Sequence, residues 1–381
     1  MIKEKTMKKL FGIVALALIL ASCDDPYASG PIRIGAILPI SGRIAEYGIQ
    51  TRDAAILAVE EINAAGGVLG RQVNLIVEDD EADPTKTANA FTKLVERDKI
   101  SALIGALTSN CSLAITNLAM SEKIPMVSPT STNDKVTLAG DYVFRACYID
   151  SFQGQVVANY AIDTLKATRA AILYDVANDY SKGLFENFKK VFESRGGTVV
   201  AESYNTGDKD FNAQITKIRS ANPNVIFLPD YYSAVALIAE QIRNQGIKVP
   251  LLGADGWDEV AGKADTWMVP AFYSNHYSPE SQDPDVVKFI AAYKARFGVE
   301  PNALAALGYD TAKIILQAIS AAGSARPQDI QKALMNVSGK FVTGNISFDA
   351  NRNPVKSAVM VEIVAGADGK LTTRYAGTVN P

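Results

Sequence analysis

The sequence predicts an α/β protein made of two doubly wound lobes. Short apolar runs alternate with helical stretches and glycine-marked loops, the pattern of parallel sheets covered by helices on both faces. The alternation runs once from Ile32 to Arg145 and then restarts, so two sheets are expected rather than one. Polar runs stand at the carboxyl ends of apolar strands, where ligands settle in such sheets.

Ile32–Leu38 is apolar apart from Arg33 and Gly35, as a strand buried on both faces should be. Ile44 to Ala65 carries Tyr47, Ala54, Ala55, Ala58, Val59 and Ile62 at helical spacing and stops at Gly66-Gly67. Val73–Val77 is the next strand, and Pro84 opens a helix containing Phe91, Leu94 and Val95. Ala102–Gly105 and Ile124–Val127 are strands, with a turn at Thr108-Ser109-Asn110 and a helix from Cys111 to Ser121 between them. Tyr142–Arg145 ends the first series.

In the second series, helices are expected from Ser151 to Leu165, Tyr180 to Ser194, Phe211 to Ser220 and Ser233 to Asn244. Strands are expected at Ala170–Tyr174, Thr198–Ser203, Val225–Leu228 and Val249–Leu252, followed by the polar loop Gly253 to Trp257. The chain is then mostly helical from Val286 to Leu334. It ends in a hairpin-like tail, Asn345–Phe348 and Val359–Ile363, around the turn Asp349 to Asn353.

The stretch from Ala102 to Asn133 holds the first candidate site. Thr108-Ser109-Asn110 opens a helix, whose unpaired N–H groups and dipole favour an anion. Ser128 to Asn133 follows the next strand directly. The hydroxyls of Ser109, Thr130 and Thr132 make a small neutral nest suited to a carboxylate. Helix capping by Ser109 or Asn110 is the competing reading.

The first residues carry Lys3, Lys5, Lys8 and Lys9 ahead of an apolar run from Leu10 to Ala21 and small residues before Cys23. That is the layout of a secretory signal, and the run is short of the ~20 residues a membrane span needs. Leu20-Ala21-Ser22-Cys23 resembles the bacterial lipoprotein box, which implies acylation of Cys23. Asp24 resembles the signal that keeps such lipoproteins in the inner membrane of Gram-negative cells. Residues 1–22 are thus expected to be a signal peptide, starting at Met1 or Met7, and residues 23–30 a tether.

The chain has 381 residues and a net charge of −3; the leader contributes +3, so the remainder stands near −6. Mild acidity argues against nucleic acid and anionic lipid as partners. The exported part is too long for one small core and suits two domains. Cys111 and Cys147 are read as two buried thiols, although a bridge is open to them in an oxidising compartment.

Enzyme templates fail. His276 is the only histidine, so no His-based metal cluster can form, and no Gly-x-Ser-x-Gly elbow accompanies it. It is read as structural or solvent-facing. Gly66 to Arg71 follows a helix and precedes a strand, the wrong order for a phosphate cradle, so it is a turn. Glu78-Asp79-Asp80-Glu81 lacks calcium-loop spacing and reads as a solvated rim. No cofactor and no metal are expected.

Several short pieces, weak singly, occur in a specific order. They are Ile34-Gly35-Ala36, Tyr47-Gly48, Glu61 to Gly67, Ile104 to Ser109, Ser128 to Asn133, Asp150 to Gly154, Tyr180 to Gly183, Gly253 to Gly256 and Gly308 to Asp310. Across the whole exported chain they resemble the type I periplasmic binding proteins, and more narrowly the branched-chain and hydrophobic amino-acid receptors of ABC importers. The resemblance implies two lobes joined by a three-stranded hinge that close on a ligand. Crossings are implied near Cys147–Asp150, Asn275–Pro279 and Arg352–Lys356. Residues 31–149 and 277–355 would form the first lobe, and residues 150–276 and 356–381 the second.

The resemblance also implies a site. Ser109 and Thr132 fall where the family holds the ligand α-carboxylate and α-amino group, and Leu107 and Thr130 where that shell is completed. Asp255 falls where an acid takes the ammonium. Tyr180 and Tyr231 fall on second-lobe positions that close over the ligand, and Tyr47 on the first-lobe wall. A zwitterion leaving water needs donors at one end and an anion at the other, which these residue types supply.

The implied activity is capture of an amino acid, aliphatic or branched-chain, by a monomeric, membrane-anchored extracytoplasmic receptor that hands it to an ABC permease, with no catalytic step. An amide, urea or an aromatic acid as ligand, or a sensory role, are the alternatives. Thr108 stands where well-known members have cysteine. Arg43 is placed either to reach a ligand's distal acid or to face solvent, and Trp257 either to narrow the pocket or to select an aromatic side chain.

Overall fold

The computed structural model describes residues 25–381, so Cys23 and the leader before it lie outside the described residues. The first lobe is built from β1 (Ile32–Leu38), α1 (Ala45–Ala64), β2 (Val73–Asp79), α2 (Pro84–Glu96), β3 (Ala102–Ile104), α3 (Ser109–Glu122), β4 (Met126–Ser128), α4 (Lys135–Leu138) and β5 (Val143–Arg145). Its strands form a parallel sheet in the order β2-β1-β3-β4-β5. Both faces of β1 are covered, which explains its near-continuous apolar run. Ile32, Ile34, Ala36 and Leu38 join one core cluster, whereas Ile37 packs with Phe91, Leu94 and Ile115 on the other face.

The second lobe contains α5 (Asp150–Asp163), β6 (Arg169–Asp175), α6 (Asp179–Ser194), β7 (Thr198–Tyr204), α7 (Asn212–Ser220), β8 (Val225–Phe227), α8 (Tyr232–Asn244), β9 (Leu251–Gly253) and β10 (Ala271–Asn275). The chain then returns to the first lobe as α9 (Pro284–Phe297), α10 (Ala303–Ala322) and α11 (Pro327–Leu334), followed by the short pair β11 (Ser338–Phe341) and β12 (Gly344–Ser347). Helix α10 packs against α1, and a Cβ on Gly308 would stand 2.7 Å from the Thr51 carbonyl oxygen. Only glycine permits that approach. The last strands, β13 (Ala358–Ala365) and β14 (Leu371–Val379), complete a seven-stranded sheet in the order β14-β13-β10-β9-β8-β6-β7.

The expectation of two α/β lobes holds, with differences in detail. The tail is not one hairpin: Gly344–Ser347 pairs with Ser338–Phe341, and Ala358–Ala365 runs antiparallel along β10. The second sheet is therefore mixed. Without β13, β10 would be an open edge, and Ala358, Met360, Val361 and Ile363 bury apolar area in covering it. Two strands begin later than predicted, at Met126 and Leu251, because Pro125 and Pro250 lack the N–H a ladder needs. Helix α3 starts at Ser109, not Cys111, and Thr108 holds the cap position without a side-chain cap bond. The Gly66-to-Arg71 turn is as expected; a Cβ on Gly67 would lie 2.0 Å from the Arg71 carbonyl oxygen.

Three connections join the sheets, at 146–149, 276–283 and 348–357. They are tied together and to the first lobe. Lys356 Nζ donates to the Ala146 carbonyl at 3.3 Å, linking the third to the first. The Arg352 guanidinium donates to the carbonyls of Thr137 (2.7 Å) and Val143 (3.1 Å). Residues 25–30 lie along the first lobe, where Arg71 bonds the carbonyls of Tyr27, Ser29 and Gly30. Among the described residues no helix is long and apolar enough to cross a membrane.

Candidate ligand-binding cleft

The two sheets direct the ends of their strands at one cleft. On the first-lobe side, the loops after β3 and β4 are laced by hydroxyls. Ser128 Oγ donates to the Ala106 carbonyl (2.7 Å), Ser131 Oγ reaches the Leu107 carbonyl (3.0 Å), and Thr130 Oγ1 donates to that same carbonyl (2.6 Å). Beneath them the Arg145 guanidinium, wholly buried at the end of β5, donates to the carbonyls of Ser131 (2.7 Å) and Asn133 (2.9 Å). Burial pushes its pKa down from the usual arginine value. The α3 N-terminus adds N–H groups that no helix carbonyl can take.

On the second-lobe side stands Asp255, which is 4% exposed. Its Oδ1 accepts from Tyr180 Oη (2.7 Å) and Gln153 Nε2 (3.0 Å), and its Oδ2 lies 3.0 Å from His276 Nε2. Tyr180 Oη also accepts from the Gly256 N–H at 2.8 Å. The Tyr180 and Tyr231 rings stack with centroids 5.0 Å apart. From the first lobe, Tyr47 meets the Tyr231 ring edge-on and donates from Oη to the Gly256 carbonyl at 2.5 Å.

Other contacts hold the lobes together around this centre. Asn110 exchanges hydrogen bonds with the N–H of Asp179 (2.8 Å) and the Ala177 carbonyl (3.2 Å). Glu259 accepts from Gln50 (3.0 Å) and Asn302 (2.7 Å), and Asp258 from the Ala303 N–H at the start of α10 (2.8 Å). Asp258 is buried, which pushes its carboxyl up to about 7.

Seven of the eight predicted residues line one narrow cavity: Tyr47, Leu107, Ser109 and Thr130 from the first lobe, and Tyr180, Tyr231 and Asp255 from the second. The space in which a water centre can move is about 20 Å³, room for one or two waters. Entry of anything larger requires the lobes to separate. A hollow of about 670 Å³ lies elsewhere, between α1, α9 and α10. Its Glu61 and Lys313 already pair with each other, as do Asp285 and Lys340. The cleft is preferred because its polar groups converge.

Thr132 does not line the cavity. It is fully buried, its Oγ1 lacks a partner, and its carbonyl accepts the Asp150 N–H (2.9 Å). Trp257 neither narrows the pocket nor selects a side chain: it is core, wholly buried, with Nε1 donating to the Leu228 carbonyl (2.8 Å) and its ring over Gly253. Its indole takes the space a side chain on β9 would occupy. Arg43 is exposed and lines a separate hollow with Asp175 and Asp230. His276 is buried and not solvent-facing. Cys111 and Cys147 are buried free thiols, both pushed up to about 12 by burial.

Asp150, Gln153, Arg145 and Leu304 were not singled out from the sequence. Asp150 is fully buried beside Thr132 with Oδ2 unpartnered, and burial raises its pKa well above the usual carboxylate range. The motif Asp150 to Gly154 was visible, and an arginine ending an apolar strand was a further signal.

Comparison with known proteins agrees with this architecture. Residues 31–370 match the model of the periplasmic binding protein family. A Leu/Ile/Val-binding protein homolog of Brucella abortus is 32% identical over 371 residues, covering 95% of this chain and 98% of that protein. The crystal structure of a leucine binding protein from Thermotoga maritima superposes with a TM-score of 0.87 at 35% identity, over 92% of this chain and 99% of that one. A branched-chain amino acid transporter substrate binding protein from Streptococcus pneumoniae, in complex with isoleucine, gives a TM-score of 0.84 at 33% identity, over 92% and 100%. The chain belongs to the periplasmic binding protein family, close to the Leu/Ile/Val-binding proteins, whose members are substrate-binding receptors and extracytoplasmic.

Proposed function

We propose that this periplasmic binding protein is a receptor for an aliphatic, branched-chain amino acid, which it delivers to the permease of an ABC importer without a catalytic step. One observation carries the proposal. A buried carboxylate, Asp255, faces a hydroxyl-lined helix N-terminus across a slot closed by tyrosines. That pairing suits a zwitterion: an anion for the ammonium, and free N–H groups with a favourable dipole for the carboxylate.

In this reading the α3 N-terminus and Ser109 take the carboxylate. Asp255 takes the ammonium, with Thr130 and the Leu107 carbonyl beside it and Thr132, bonded to the Asp150 N–H, buried behind the lining. Tyr47, Tyr180, Tyr231 and Leu304 wall the side chain, giving apolar area at little rotamer cost. Opening admits the ligand, and the ligand favours closure because it touches both lobes only in the closed state.

The lobes are assigned as residues 31–149 with 277–355, and 150–276 with 356–381. Residues 1–22 are proposed as a cleaved leader and Cys23 as the acylated residue that anchors the monomer to the inner membrane, with residues 23–30 as its tether. The test is a thermal-shift panel of amino acids with urea, short amides and benzoate. A ligand at a hundred times its Kd stabilises by about 2.7 kcal/mol. A shift with leucine, isoleucine or valine is the expected result. Silence from every amino acid with a response to benzoate or an amide would overturn the assignment.

A further inference from the structure

We propose that His276 is a positioning residue that fastens the Asp255 carboxylate to the hinge, so that capture of the ligand ammonium and the angle between the lobes are coupled. The proposal rests on reading the cleft as an amino-acid site.

His276 is the first residue after β10, in the second connection between the lobes. Its side chain is fully buried, and its Nε2 stands 3.0 Å from Asp255 Oδ2. The imidazole lies on the ring of Tyr148, from the first connection, with centroids 3.8 Å apart and planes 25° from parallel. Tyr148 Oη donates to Gln153 Oε1 at 3.0 Å, and that oxygen also takes the Asp255 N–H (2.9 Å) and Ser274 Oγ (2.9 Å). Gln153 Nε2 returns to Asp255 Oδ1. Four side chains from two hinge connections, α5 and the loop after β9 thus close a ring around one carboxylate. Any slide between the two connections shifts the stack and, through it, Asp255.

Two charged groups face His276, the Asp255 carboxylate and the Lys356 ammonium; its stacking partner Tyr148 is neutral. Burial pushes the imidazole below its ordinary pKa, Asp255 opposes this less strongly, and Lys356 adds to it. A neutral ring must then donate from Nε2 to Asp255, which leaves Nδ1 as an acceptor. Among the described residues Nδ1 has no hydrogen-bond partner. The carboxylate therefore sets the tautomer.

Because His276 is the only histidine of the chain, nitrogen-15 NMR reads its ring without assignment. The expected spectrum is the Nε2–H tautomer, with protonation of the ring displaced below the ordinary imidazole range. His276→Phe keeps the stack and removes the donor, and His276→Gln keeps an N–H donor. Leucine affinity, measured calorimetrically, should fall on the order of 10- to 100-fold in the Phe variant and recover part of that loss in the Gln variant. Both variants are checked for a cooperative melt. An Nδ1–H tautomer, a ring titrating near its free value of about 6.5, or a folded Phe variant binding leucine within about twofold of wild type would overturn the proposal. Leucine failing to bind the wild-type protein sinks the amino-acid reading and the ligand half of this one. The ring tautomer, read without ligand, then still decides the pairing.

Discussion

The first lobe meets the cleft with backbone and hydroxyl groups already bonded to one another, whereas the second meets it with a carboxylate and tyrosines held by contacts that reach the hinge. Thr130, Ser128 and Ser131 lock onto the carbonyls of Ala106 and Leu107, and Arg145 fixes the loop from below. Asp255 depends on Gln153, Tyr180 and His276, far apart in sequence. The contrast teaches a division of labour. One wall is preorganised and neutral, and the other carries the charge and the means of moving it.

The largest effect should follow Asp255→Ala, which strands three donors and removes the ammonium's partner. Leucine affinity is expected to fall at least on the order of a hundredfold in calorimetry; a loss below about tenfold would place the charge elsewhere. Tyr180→Phe removes the hydroxyl that bridges Asp255 and the Gly256 N–H. About a tenfold loss of affinity is expected. An unchanged Kd would mean that the second wall is as self-sufficient as the first.

Thr130→Ala deletes one of two hydroxyl bonds to the Leu107 carbonyl. The expected cost is about 1 kcal/mol in denaturant unfolding, with a smaller change in Kd because the remaining hydroxyls and Arg145 still shape the loop. A larger loss of affinity than in Tyr180→Phe would reverse the comparison.

The smallest effect concerns the contacts outside the cavity. Asp258 rises from an ordinary 3.8 to about 7 in the folded protein because it is buried. A raised carboxyl pKa means that the folded state binds more protons across that window. The stability it contributes is thus present at low pH, declines as pH rises between those values and is flat above about 7. Asp258→Asn removes this decline. The difference in Tm between wild type and variant should shrink or change sign from about pH 5 to 7; a constant difference would show that Asp258 does not titrate there.

The first lobe was more legible in the sequence than the second for a physical reason. Apart from Tyr47, its predicted site residues lie within Leu107 to Thr132, a local strand–helix–strand pattern, so periodicity and turn chemistry place them. The second-lobe contacts join residues such as Gln153 and Asp255, 102 positions apart, and no local pattern reports that. His276 as a lone histidine looked bland until the fold stacked it on Tyr148. Strand β14 escaped because its edge position leaves it polar and exposed. Thr132 and Trp257 were visible as residue types, but the direction of each side chain depends on tertiary packing.

The most direct measurement compares leucine with 4-methylpentanoate, the same molecule without its ammonium, by calorimetry on the leaderless protein. If Asp255 faces the ammonium across the closed cleft, leucine should bind tighter by on the order of a hundredfold or more. Equal or tighter binding of the acid would contradict the account, since a buried carboxylate with no cation to meet would then repel the ligand it was assigned to hold.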